Sequence, residues 1–168
     1  MQNHFDLFQM EPGFDIDMAH LDAAYREIQA RVHPDRFVSA GSAEQRVAMQ
    51  WATRANEAYQ TLKNPLKRAT YLCELNGVAL QAESNTAMPA AFLMQQMEWR
   101  EELDDVKDDA AALETLEQNV QKAHGEQLQH IARALAAPDY HQAAQSIRQL
   151  MFLEKFRSDL DHAFEHLN

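Results

Sequence analysis

The chain has 168 residues, 46% of them hydrophobic and 24% charged, and carries a formal net charge of −11 at pH 7. That length suits one ordinary domain or two small ones, and the balance of apolar and charged residues excludes a disordered chain. The acidity is uneven, with 8 Lys and Arg against 10 Asp and Glu in residues 1–77 but 7 against 16 in residues 78–168, which argues against nucleic acid and anionic membranes because both demand basic patches.

Only four glycines occur, and Ala, Leu, Gln, Glu and Met, all good helix formers, dominate. No segment alternates apolar and polar residues, so an all-α fold is expected. The first ten residues lack the basic start and long apolar run of a secretory signal, and no stretch is apolar for long enough to span a membrane. A cytoplasmic location is therefore expected. Residues 3–9 can form a short helical turn, with Phe5, Leu7 and Phe8 as packing residues. Pro12-Gly13 then breaks the chain.

Asp17 is placed to cap a helix from about 18 to 33. Met18, Leu21, Ala24, Tyr25, Ile28 and Val32 recur at helical spacing and form its apolar face. Pro34 ends this helix because a proline pushes the residue before it out of the α region. A polar loop follows. Ser42 with Gln45 has the spacing of a capping box, opening a helix to about Lys63 whose inner face is read as Val47, Trp51, Arg54 or Ala55, Ala58, Tyr59 and Leu62. Asn64-Pro65 reads as the cap and first turn of a short helix to Asn76, with Gly77 as its left-handed stop. Cys73 falls in this helix among apolar neighbours. A single cysteine excludes an internal disulfide and a multi-thiolate zinc site, and without a neighbouring base it reads as a buried thiol.

Residues 77–88 read as an inter-domain segment. Pro89 opens a helix to about Asp108. Helices over about 110–136 and 138–166, the second opened by Pro138, complete an expected antiparallel three-helix bundle. Leu113, Leu116, Val120, Leu128, Ile131 and Leu135 form one seam. Leu153, Phe156, Leu160, Ala163, Phe164 and Leu167 form the other.

Two features exceed what packing alone requires. The first is His33-Pro34-Asp35 at the bend of a helical hairpin. The loop must be exposed so that its backbone meets water, and the proline fixes where its neighbours point. An exposed Asp35 suits a charge-assisted pair with an arginine on a partner. Taken alone, the tripeptide is a weak signal, and a helix-stop proline flanked by ordinary polar residues is the simpler reading. The second feature is the helix after Pro89. At about 100° per residue, Phe92, Trp99, Leu103 and Val106 fall within about 40° of one direction, whereas Leu93, Met97 and Met94 fall about 100–200° away. Either that second face packs inside the protein, or it is a recognition patch rimmed by Glu98 and Glu101. Leu150-Met151-Phe152-Leu153 raises the same question, since four consecutive apolar residues wrap the whole helix and one must point away from the seam.

The hairpin tip, Tyr25-Arg26 before it, the short element with Phe5, Leu7 and Phe8, and the passage ANEAYQTLKNPLKRATYL at 55–72 together resemble J-domains over about residues 1–76. The resemblance implies binding to the ATP state of a DnaK-type chaperone and acceleration of its hydrolysis. His33, Pro34 and Asp35 would make the stimulating contact, and Tyr25, Arg26, Arg31 and Arg36 would lie beside it. From Met18 to Phe37, Arg26, Arg31 and Arg36 are balanced by Asp22, Glu27 and Asp35, and Val32 replaces a frequent aromatic. Long-range steering is therefore weak, which points to a specialised chaperone; the resemblance implies that it is of the HscA/DnaK type. Over its whole length the chain resembles the HscB family of iron–sulfur assembly J-proteins, through AFLMQQMEWREELDD and MFLEKF in particular. That resemblance implies a scaffold-binding C-terminal domain over 89–168. Leu93, Met94, Met97 and Phe152 would anchor an IscU-type scaffold, with Glu98, Arg100, Glu101 and Asp105 as polar contacts. Some relatives carry an N-terminal zinc-binding cysteine set, which this chain lacks.

His162 and His166 are four apart, but solvent-facing histidines are the simpler reading. Asp104, Asp105, Asp108 and Asp109 lack the glycine and terminal glutamate of a calcium loop. No catalytic residue, metal or cofactor is expected, and a monomer is. The alternatives are a helical adaptor with an inert tip, and a J-protein for a different client.

Overall fold

The computed structural model describes residues 2–80 and 88–167, and among these the fold is all-α with no strand. Two compact units form, residues 1–72 and 73–168. Most of the segment expected to join two domains, residues 81–87, lies outside the described residues.

The first unit is built on a hairpin of α2 (Met18–Val32) and α3 (Ser42–Lys63), with the short α1 (His4–Leu7) laid against α3. Asp17 caps α2 as expected, its carboxylate accepting from the Ala19 and His20 amides. Asn3 and Asp6 cap α1 reciprocally. The expected box at Ser42 is not formed. Gly41 holds the cap position without a side-chain bond, and Ser42 is already helical. Gln45 reaches further back and donates to the Phe37 and Ala40 carbonyls, tying the loop to the helix start. The face of α3 also differs from expectation. Ala48, Ala55, Ala58 and Leu62 are buried, whereas Val47 and Trp51 are exposed. Small alanines let α2 approach closely while the large partners come from elsewhere: Phe5, Phe8 and Leu21 fill the core, and Tyr25 stacks on Tyr59 with centroids 4.1 Å apart. Trp51 instead lies beneath the Arg54 guanidinium.

The helix α4 (Pro65–Leu75) starts where Asn64 accepts from the Lys67 amide. Its Arg68 is buried. Nε donates to the Phe14 carbonyl at 2.7 Å, and a terminal nitrogen donates to the Leu62 carbonyl at 2.6 Å. The guanidinium also lies over the Phe14 ring. The far end of α4 closes as expected. The Gly77 amide bonds the Glu74 carbonyl and the Val78 amide bonds Cys73, with Gly77 at φ +81°. This is the paired termination that a left-handed glycine permits. A Cβ at Gly77 would meet nothing, so Gly77→Ala incurs only the backbone term. Equilibrium urea denaturation should show a loss of about 1 kcal/mol.

In the second unit, α6 (Ala110–Ala136) and α7 (Tyr140–Glu165) form an antiparallel pair, and α5 (Ala90–Val106) runs parallel to α7. Asp109 and Asp139 cap α6 and α7 through the Ala112 and Gln142 amides. The last helix therefore starts after Asp139 and not at Pro138, and α5 ends at Val106, ahead of Asp108. The core is Leu113, Leu116, Val120 and Ile131 from α6 with Ile147, Leu150, Leu153, Phe156 and Leu160 from α7. The far ends of both expected seams, Leu128, Leu135, Ala163, Phe164 and Leu167, are only half-buried. Trp99 closes α5 onto this pair by stacking on Phe156, with centroids 5.8 Å apart.

Candidate functional sites: a hairpin tip and an exposed apolar surface

At the tip, His33 is extended (φ −59°, ψ 136°), as the following proline requires. Pro34 opens a single tight turn, Pro34–Phe37, closed by the Arg36 amide on the His33 carbonyl at 3.0 Å. The His33 imidazole folds over this turn, and its Nδ1 accepts from the Asp35 amide at 3.2 Å. A ring nitrogen used as an acceptor leaves the proton on Nε2. The Asp35 carboxylate stays 3.7 Å from Nδ1, too far for a hydrogen bond, and its side chain is 89% exposed. The turn is thus held by backbone and imidazole, and the carboxylate is turned to solvent.

Arg26, Arg31 and Arg36 are exposed. Arg31 pairs with Glu27 one turn earlier on the same helix, and both side chains are solvated enough for the pair to exchange easily. Tyr25 is different. Half-buried, it packs on Tyr59 and edge-on to Phe8, and its hydroxyl donates to Asn56 and accepts from Gln29. With Tyr59 donating to Asp22 at 2.8 Å, it sets the register of the two helices that carry the tip.

The two faces of α5 separate as the helical wheel requires. Trp99 is buried and Phe92, Leu103 and Val106 are half-buried. Leu93, Met94 and Met97 are 46%, 61% and 62% exposed. On α7, Leu150 and Leu153 enter the core while Met151 and Phe152 both turn outward. Phe152 meets Phe92 edge to face with centroids 6.2 Å apart, which ties the outward residues of α7 to α5. Met151 was not singled out from sequence, although the four-residue apolar run carried the signal. Glu98, Glu101 and Asp105 are exposed beside the patch. Arg100 is less free: it bonds Asp159 at 3.3 Å and leans over the Phe156 ring.

Cys73 is buried, with Sγ 3.8 Å from the Tyr140 carbonyl. Burial, with a smaller contribution from Glu74 and against Arg148, pushes its pKa up to about 11. It is a protonated thiol at neutral pH and a poor nucleophile. His166 turns Nδ1 to the His162 carbonyl. Among the described residues no group of three or more His, Cys, Asp or Glu is arranged to hold a metal ion, and no helix is long and apolar enough to cross a membrane.

Comparison with known proteins matches these features to one family. Residues 88–161 match the family described as the HSCB C-terminal oligomerisation domain. The chain is 50% identical over 167 residues to the co-chaperone protein HscB homolog of Burkholderia multivorans, covering 98% of this chain and 95% of the relative. It is 53% identical over 169 residues to the Ralstonia nicotianae homolog, covering 98% and 96%. Chaperone HscB from Vibrio cholerae superposes with a TM-score of 0.88 at 36% identity, covering 99% of both chains. Human co-chaperone HscB gives 0.91 at 26% identity, covering 96% of this chain and 81% of that one. Its all-α fold and its likeness to these proteins over nearly the whole chain agree, and the chain belongs to the HscB family of co-chaperones.

Proposed function

We propose that the protein serves iron–sulfur cluster assembly in the cytoplasm by bringing an IscU-type scaffold to a specialised HscA/DnaK-type ATPase. The J-domain, over about residues 1–76, accelerates hydrolysis in the partner. His33, Pro34 and Asp35 make the stimulating contact, and Arg26, Arg31 and Arg36 flank it. Tyr25 supports the contact by bracing the hairpin. The C-terminal domain, residues 89–168, binds the scaffold through Leu93, Met94, Met97 and Phe152, with Glu98, Arg100, Glu101 and Asp105 as polar contacts. The protein performs no chemistry of its own and acts as a monomer.

The observation that carries this reading is the exposure of those four apolar side chains on a bundle that already has a complete core. Large side chains turned to water in a group favour a protein partner. Burying one such anchor contributes about 1.5–3 kcal/mol, so Leu93→Ala should weaken scaffold binding about tenfold or more in titration calorimetry. Unchanged affinity with an intact circular dichroism spectrum would remove the patch from the binding site. The family description as an oligomerisation domain favours a second reading, in which the same patch joins two copies. Sedimentation of the chain alone separates the two: a monomer supports scaffold binding, and a dimer dispersed by Leu93→Ala supports self-association.

A further inference from the structure

The sulfur atoms of the chain are distributed in a way that the proposed function does not use. The one thiol, Cys73, is buried and protonated. By contrast, Met94, Met97 and Met151 are 61%, 62% and 39% exposed, and all three border Leu93 or Phe152 in sequence or along the same helix. The most exposed sulfur of the second unit therefore lies on this apolar surface, with Met88, ahead of α5, half-buried.

We propose that Met94, Met97 and Met151 form an oxidation-sensitive modification site, at which a peroxide converts thioether to sulfoxide and thereby closes the scaffold-binding surface. In this step the sulfur lone pair attacks one peroxide oxygen, an S–O bond forms, the O–O bond breaks, and hydrogen peroxide leaves as water. Sulfur is oxidised by two electrons and the peroxide is reduced by two. The product is a polar side chain whose oxygen needs a hydrogen-bond donor. This surface supplies few. Glu98 and Glu101, one turn along from Met94 and Met97, are acceptors only when ionised. Arg100, the nearby donor on the same helix, is turned to Asp159 and Phe156. A sulfoxide pressed against an apolar partner here is left unsatisfied, whereas in free solution water satisfies it. Oxidation therefore penalises the complex and spares the fold, since none of the three side chains is in the core.

The proposal rests on the scaffold-binding reading, and the experiment keeps the two apart. The full chain is treated with hydrogen peroxide, the peroxide is removed, and sulfoxides are mapped by mass spectrometry. Affinity for the scaffold is then measured by titration calorimetry. Each protein is compared with its own untreated sample, for the wild type and for a variant carrying Met94→Leu, Met97→Leu and Met151→Leu. The expected result is a tenfold or greater loss on treatment of the wild type, restored by methionine sulfoxide reductases. The triple variant, which keeps the exposed Met49 and Met18, should show no such loss. Sulfoxide at the three positions with unchanged affinity overturns the proposal. So does an equal loss in the triple variant, or modification of Met49 while these three remain reduced. If untreated Leu93→Ala binds the scaffold normally, it is the scaffold-binding reading that fails.

Discussion

Replacing Asp35 by Asn is expected to reduce ATPase stimulation to the unstimulated rate while leaving the fold unchanged. The turn that presents this residue is held by the Asp35 amide on His33 Nδ1 and the Arg36 amide on the His33 carbonyl, neither of which involves the carboxylate. Asn has the same shape, so only the charge and one acceptor oxygen are lost. A hydrogen bond between ionised groups is roughly twice as strong as one between neutral groups, and the 89% exposed carboxylate lies 3.7 Å from His33 Nδ1, beyond hydrogen-bond distance. Single-turnover hydrolysis by the ATPase, with and without the variant, measures the effect. Scaffold affinity should stay at the wild-type value because the proposed anchors lie on α5 and α7. Full stimulation by Asp35→Asn would show that the tip is not the active contact.

The largest stability effect is expected at Arg68. Met at this position keeps most of the buried volume but removes both donors, leaving the Phe14 and Leu62 carbonyls without their bonds. Hydrogen bonds from a charged group contribute about 1.5–3 kcal/mol each, and unpaired buried acceptors add a desolvation cost. A loss on the order of 3 kcal/mol is therefore expected even after discounting what the charge itself costs to bury. That cost is real: desolvation pulls the Arg68 pKa below its ordinary value, partly opposed by Asp15. Lys should not rescue the site, because one ammonium cannot reach two carbonyls that the planar guanidinium bonds at separate nitrogens. Amide hydrogen exchange in α2 and α3 measures the change within the first unit. Protection equal to wild type in Arg68→Met would show that the two carbonyls find other partners.

Much of the local architecture was legible because its causes are local. Asp17 and Asn64 cap helices through amides two or three residues away. Gly77 stops α4 through its own amide on the Glu74 carbonyl and the Val78 amide on the Cys73 carbonyl. Pro34 forces the bend at the tip without help from the rest of the chain. That α5 carries two apolar faces was also legible, since no single direction could contain Phe92, Trp99, Leu93 and Met94, but only the structure turned the second face outward. Family resemblance added the partners and residue roles, which no spacing rule supplies.

Longer-range choices were not legible. Rotation of α3 about its axis put Ala48 inside and Val47 and Trp51 outside. Apolar content favoured the opposite arrangement, but the large buried side chains of this unit include Phe5, Phe8 and Leu21 from α1, the turn after it and α2, and α3 contributes mainly alanines beside Leu62. Tyr25 was legible as part of the apolar face of α2, but its partners, the Tyr59 ring and the Asn56 side chain, came only with the tertiary structure. Arg100 meets Asp159, 59 residues away, and Arg68 meets Phe14, 54 residues away. The caps at Asp17 and Asn64, the stop at Gly77 and the bend at Pro34 were thus determined by the sequence alone, because each is settled within a turn or two of backbone, whereas the starts of α3 and α7 and the end of α5 were not. Which face of each helix meets which neighbour was decided by tertiary packing, because the competing side chains come from distant parts of the chain and only one set fits the volume.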